Sequence, residues 1–238
     1  LITPSGESAP SFDIVRVFYT RPHSPPKITE VKVGPPQKKN GGNENGAEKV
    51  KAAPHSAPDS LEVTWKAEDP DSDQLFHDLY IRELEELTWH LVEDEIEEPK
   101  YTLKTRMIPD GHYRVRVVAS DDPSNTAGTE LTAEEESPVF LIDNTAPSIQ
   151  LVSVNRANEE EVAVRLLVED GASLVSGAAW RAGFDDFRLL AAEDEVLDER
   201  SETFAFTIQG EAARPGAFVT VRATDEAGNT AVKRIDIE

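Results

Sequence analysis

Val115-Arg-Val-Val-Ala-Ser-Asp-Asp-Pro-Ser-Asn-Thr-Ala127 returns without a gap as Val219-Thr-Val-Arg-Ala-Thr-Asp-Glu-Ala-Gly-Asn-Thr-Ala231. In both copies apolar residues hold the first, third and fifth places, the period of a half-buried strand, and an Asp-x-x-x-Asn turn follows. The copies lie 104 residues apart. That is the length of one β-sandwich, so the stretch predicts an all-β chain of two tandem β-sandwich domains.

A second matched pair fixes the layout. Pro26-Lys-Ile-Thr-Glu-Val-Lys-Val33 corresponds to Pro147-Ser-Ile-Gln-Leu-Val-Ser-Val154, but at an offset of 121. The first copy therefore carries about 17 extra residues, placed in the stretch 34–60, where Gly, Pro, Asn and Lys without apolar periodicity predict a mobile loop. The expected domains are 26–145 and 146–238. Residues 1–25 precede them as an extension or a remnant strand of an upstream domain, with Phe12–Tyr19 as its strand.

Between these landmarks, alternation predicts strands over Leu61–Ala67, Tyr101–Met107, Val162–Val168, Phe204–Ile208 and Val219–Ala223. A hairpin is expected from Phe76–Arg82 to Leu87–Val92, with Glu83–Glu86 able to make one helical turn, and Ser137–Asp143 closes the first module. Trp180–Leu190 reads as another hairpin. Ala191–Arg200 is an acidic stretch with room for a short helix.

Composition narrows the function classes. The 238 residues hold 46 Asp and Glu against 24 Lys and Arg, a net charge of −22 that repels phosphate backbones and excludes nucleic acid as the expected partner. Cys is absent, which removes disulfides and thiolate metal sites. No apolar run reaches the length of a membrane span, and Leu1-Ile-Thr-Pro-Ser-Gly6 lacks the pattern of a signal peptide. With Leu first and Met107 its one methionine, the chain reads as a fragment of a longer protein.

Trp65 on the second strand, Ile108-Pro-Asp-Gly-His-Tyr113 and the strand that follows resemble a fibronectin type III domain over residues 26–143. The resemblance implies a core Trp and a corner Tyr whose hydroxyl bonds back to the chain. Residues 147–238, with Asp198–Phe204 and Val221-Arg-Ala-Thr-Asp-Glu-Ala-Gly-Asn229, resemble bacterial Ig-like modules. Such a pair resembles the C-terminal part of a large exported bacterial protein. The implied role is non-catalytic, positioning an upstream domain or presenting a protein- or carbohydrate-binding surface, in an extracytoplasmic location (secreted, periplasmic or cell surface). A glycan-binding or calcium-stiffened adhesion module and an accessory fragment of a hydrolase are the alternatives.

Four groups of residues carry candidate chemistry. One pole of the second module should gather Glu169, Asp170 and Asp225 beside Asp143 and Asn144 of the linker, hard oxygens of the kind that bind Ca²⁺ and would stiffen the joint. The first module's pole carries Asp69, Asp71, Asp73, Asp121 and Asp122; both sets also suit ordinary turn chemistry. His77, His90 and His112 fall on strands that could share a sheet and hold zinc. Trp65, Trp89 and Trp180 are the candidates for a sugar-stacking platform, with Trp65 in phase with the core. No nucleophile elbow, phosphate-binding glycine loop or His-Glu-x-x-His motif occurs.

Overall fold

The computed structural model describes residues 23–35 and 59–238; the expected Phe12–Tyr19 strand and nearly all of the 34–60 insertion lie outside them. The described residues form two β-sandwiches. In the first, β1 (Lys27–Gly34), β2 (Ser60–Glu68) and β5 (Lys100–Lys104) make a sheet in the order β1-β2-β5. Opposite it lie β3 (Phe76–Glu83), β4 (His90–Ile96), β6 (Gly111–Ser120) and β7 (Thr132–Glu136) in the order β4-β3-β6-β7. A short β8 (Phe140–Ile142) pairs with the start of β6.

Alternation produces this core. Val63 and Trp65 from β2 and Leu103 from β5 pack with Leu79 of β3 and Val115, Val117 and Ala119 of β6. The last three are fully buried, and each valine contributes about 1.5–3 kcal/mol of transfer free energy. β7 and β8 run along the same edge of β6, parted by Ser137-Pro-Val139. There Pro138 has no N–H to donate, and the Ser137 hydroxyl accepts the Val115 N–H at 3.1 Å.

The second sandwich repeats this order. β9 (Ser148–Asn158), β10 (Glu161–Glu169) and β13 (Ser201–Gln209) form β13-β10-β9, facing β11 (Val175–Ala182), β12 (Arg188–Leu190), β14 (Phe218–Asp225) and β15 (Thr230–Asp236) in the order β12-β11-β14-β15. Val162, Val164, Leu166 and Val168 of β10 enclose Phe204 and Ile208 of β13 with Val219, Val221 and Ala223 of β14. β12 pairs with β11 rather than β13, so the second module is three strands on four, while the short β8 adds a fifth strand to the larger sheet of the first.

Several boundaries differ from the expected ones. Thr105–Met107 is a 3-10 turn rather than the end of a strand. The β3 hairpin returns at His90, leaving Leu87–Trp89 outside the strand, and Glu86 N–H bonds Glu83 O in a single turn. Thr132–Glu136 adds a strand that alternation does not mark, because its acids face solvent on both sides. Residues 191–200 contain no helix; Ala192 bridges to Phe204 instead.

The repeated turn itself diverges. In the second module Gly228 takes φ +92°, open to glycine, and the chain enters β15 two residues later. The first module has Pro123 and Ser124 there, forms a 3-10 turn over Asp122–Ser124 and reaches β7 at Thr132.

Candidate functional site

The last residue of β14 is the fixed point of the second module's pole. Asp225 is 1% exposed; its Oδ1 accepts the Asn229 N–H at 2.8 Å and its Oδ2 accepts Asn229 Nδ2 at 2.9 Å. The same Asn229 amide donates to Asp143 O at 3.0 Å, fastening the linker to the turn. Asp143 is also buried, with Oδ1 accepting the Thr145 N–H at 3.0 Å and Oδ2 the Ser173 hydroxyl at 2.6 Å. Asp170, one residue beyond β10, uses Oδ1 for the Ala172 and Ser173 amides, both at 2.8 Å. Its Oδ2 is buried without a hydrogen-bond partner.

Carboxylate oxygens of Asp143, Asp170 and Asp225 all lie within 4.8 Å of one another. Burial raises the Asp225 pKa; the Asn229 hydrogen bonds oppose that rise, and the charges of Asp143 and Asp170 add to it. Three carboxylates this close repel unless a cation or a proton joins them, and the donor set is the hard-oxygen type suited to Ca²⁺.

The other two residues expected here point elsewhere. Glu169 is the final residue of β10, and the period of two turns its side chain away from the one that follows. Its carboxylate takes Gln150 Nε2 at 2.7 Å and the Ser201 hydroxyl at 3.4 Å. Asn144 faces the first module, where its Nδ2 donates to Ile108 O at 2.9 Å and Thr105 O at 3.2 Å. Its main-chain N–H bonds Asp110 Oδ1 at 2.6 Å. Successive linker residues thus grip opposite bodies.

At the matching pole of the first module, Asp73 and Asp121 converge, joined by His23, which the sequence did not single out. His23 Nε2 lies 2.8 Å from Asp121 Oδ2 and 3.8 Å from Asp73 Oδ2. Asp121 is fully buried and its Oδ1 accepts the Leu131 N–H at 2.8 Å. Asp69 caps its own turn through the Asp71 and Asp73 amides, Asp71 accepts the Ser24 N–H, and Asp122 opens the 3-10 turn. An imidazole here occupies the place that a third carboxylate takes in the second module.

The three histidines proposed for zinc do not meet. His77 is buried against Trp65, with ring centroids 5.3 Å apart, and its Nδ1 lies 2.9 Å from Ile96 O. Burial lowers its pKa, which disfavours the charged imidazolium. His90 is exposed beside Glu86, and His112 is exposed on β6. No two of them fall in one ligand cluster among the described residues.

Nor do the tryptophans form a platform. Trp65 and Trp180 are core residues, 4% and 7% exposed, and Trp180 stacks on Phe206 at 4.7 Å. Trp89 is half-buried, held between the guanidinium groups of Arg82 and Arg116 at 4.7 and 4.9 Å. The expected corner tyrosine is in place: Tyr113 donates its hydroxyl to Pro109 O at 3.0 Å.

No family model matches the chain, and no curated protein matches it. Among solved structures, the chicken CNTN1 FN1-FN3 domains align over 100% of this chain and 75% of that one, at 15% identity and a TM-score of 0.36. A likeness that distant transfers no function.

Proposed function

We propose that the chain is a non-catalytic structural and interaction unit: a fibronectin III-like module, divided at 145/146 from an Ig-like one, that positions a neighbouring domain or presents a binding surface. The parent would be a larger exported bacterial protein. The supporting observation is the linker. Asp143 is bonded to Ser173 and Asn229 of the second module, Asn144 and Thr145 to Thr105, Ile108 and Asp110 of the first. Pro147 follows and restricts the backbone further. A joint fastened on both sides holds its modules at a set angle instead of letting them swing. Small-angle scattering tests this: the native chain should fit one arrangement, and Asn144→Ala with Asn229→Ala should broaden the distance distribution. A native profile already requiring freely jointed modules would refute it.

A second reading, calcium stiffening of the same joint, is favoured by the convergence of Asp143, Asp170 and Asp225. Weak extracellular-type sites stabilise by about 1.4 kcal/mol at ten times Kd and about 2.7 kcal/mol at a hundred times. Millimolar Ca²⁺ against EDTA should therefore raise the second module's melting temperature, and Asp170→Asn should abolish the rise. An unchanged melting curve would sink this reading.

A further inference from the structure

Each module carries, on the outer face of its larger sheet, an aromatic ring clamped between two arginines. In the first it is Trp89, between Arg82 of β3 and Arg116 of β6. In the second it is Phe187, between Arg181 of β11 and Arg222 of β14, at 4.8 and 4.5 Å. Both rings come from the residue just before the edge strand, β4 or β12. The geometry is the same diagonal in each. Arg82 pairs with Arg114 and Arg181 with Thr220, and the second arginine of the clamp stands two residues further along. The Nε atoms of Arg82, Arg116 and Arg181 are buried without a hydrogen-bond partner.

The modules differ in what balances these charges. On β7, Glu134 and Glu136 reach Arg116 and Arg114 at 3.2 and 3.7 Å. Counted from the clamp, Arg116 stands opposite Glu136 with Glu134 two residues before it, whereas Arg222 stands opposite Val232 with Thr230 two residues before it. Among the described residues Arg181 and Arg222 have no carboxylate or other hydrogen-bond acceptor, although the chain has 46 acids to 24 bases. Apolar side chains surround them: Leu189, 80% exposed, pairs with Ala179, which pairs with Arg222, which pairs with the 64% exposed Val232. Phe184, 87% exposed, packs edge-on against Phe218 beside them.

We infer that this face of the second module, Arg181 and Arg222 with Phe184, Leu189 and Val232, docks an acidic polypeptide segment that carries apolar side chains between its carboxylates. Charge complementarity names the occupant. Two uncompensated cations on a half-apolar face of a strongly anionic chain accept carboxylates locally, while the surrounding charge repels long polyanions. Leu189, Val232 and Phe184 supply area that a sugar or phosphate chain would not use. The inference rests on the reading of the chain as a non-catalytic interaction unit; scattering tests the joint and the following experiment tests only this face.

The probe is a short fluorescent peptide of alternating Glu and Leu, titrated into the full chain at low salt and followed by anisotropy. Val232→Glu puts an acid directly opposite Arg222, the place that Glu136 holds opposite Arg116, at a site 64% exposed. It should weaken binding by about ten- to a hundredfold, the weight of one charge-assisted hydrogen bond. Arg222→Gln should do the same, with circular dichroism checking that both variants are folded. Glu134→Val, which frees Arg116, should create a second site. The proposal is overturned by no binding to the native chain, by equal binding to folded Val232→Glu, by equally tight binding of a heparin-derived sulfated oligosaccharide, or by a concentration-dependent dimer that Val232→Glu dissolves.

Discussion

Replacing Tyr113 by Phe removes one hydroxyl and leaves the packing of the first module otherwise unchanged. The ring is 6% exposed, 6.4 Å from Phe140, and its hydroxyl donates to Pro109 O. Pro109 lies at an exposed corner, so its carbonyl recovers a water when the phenol is gone. The loss is then the net value of one hydrogen bond, about 1 kcal/mol, and not the larger cost of a buried orphan. For a module of about 100 residues that lowers Tm by about 4–8 °C, whereas Tyr113→Ala also deletes the ring and should cost about 3–5 kcal/mol. Differential scanning calorimetry, with near-ultraviolet circular dichroism to assign the transitions, should show the first module's peak moving and the second's fixed. A Tyr113→Phe peak unmoved within error, or moved as far as that of Tyr113→Ala, would refute this value for the hydrogen bond. Alkaline titration gives an independent check. Burial raises the Tyr113 pKa, helped by the charges of Glu83, Glu86 and Asp110. The unfolded chain therefore loses its proton first, near pH 10, and stability declines as pH rises above that point. Tyr113→Phe should flatten the decline.

The Asp225 pKa is raised in the folded state, so between its ordinary and raised values the folded chain binds the extra proton. Metal-free stability of the second module should therefore fall as pH rises through that window, and saturating Ca²⁺ should reverse the trend in chemical denaturation. Phe204→Ala empties a fully buried site and should destabilise the second module by about 3–5 kcal/mol, with the first module's transition unmoved. Trp89→Ala unstacks Arg82 and Arg116 together and should cost about 1–3 kcal/mol in the first module by urea unfolding; a neutral result would remove the energetic weight assigned to the clamp.

The parts of the fold legible in the sequence are those where one face of a strand is buried. Val115, Val117 and Ala119, and Val219, Val221 and Ala223, alternate because their neighbours meet solvent, and the repeat made two modules readable from that pattern alone. The Thr132–Glu136 strand was not legible, since its pairing is made by backbone and its side chains carry no apolar signal. Of the five oxygen ligands named for the joint, the structure brings together Asp143, Asp170 and Asp225. Glu169 and Asn144 drop out through side-chain direction: each is the chain neighbour of a cluster member and faces the other way.

The repeated Asp-x-x-x-Asn turn divides what each level decides. Sequence determined that Asp121 and Asp225 stand at the ends of equivalent strands, Asp121 just past β6 and Asp225 as the last residue of β14, because strand periodicity and turn composition are local properties of the chain. Tertiary structure alone decided that one meets an imidazole and the other two more carboxylates, and that one turn is a tight hairpin at Gly228 while the other opens at Pro123. It also decided which arginines are neutralised. That depends on register across a sheet, where Glu134 stands opposite Val118 and Val232 opposite Arg222, a pairing between residues that no local pattern encodes.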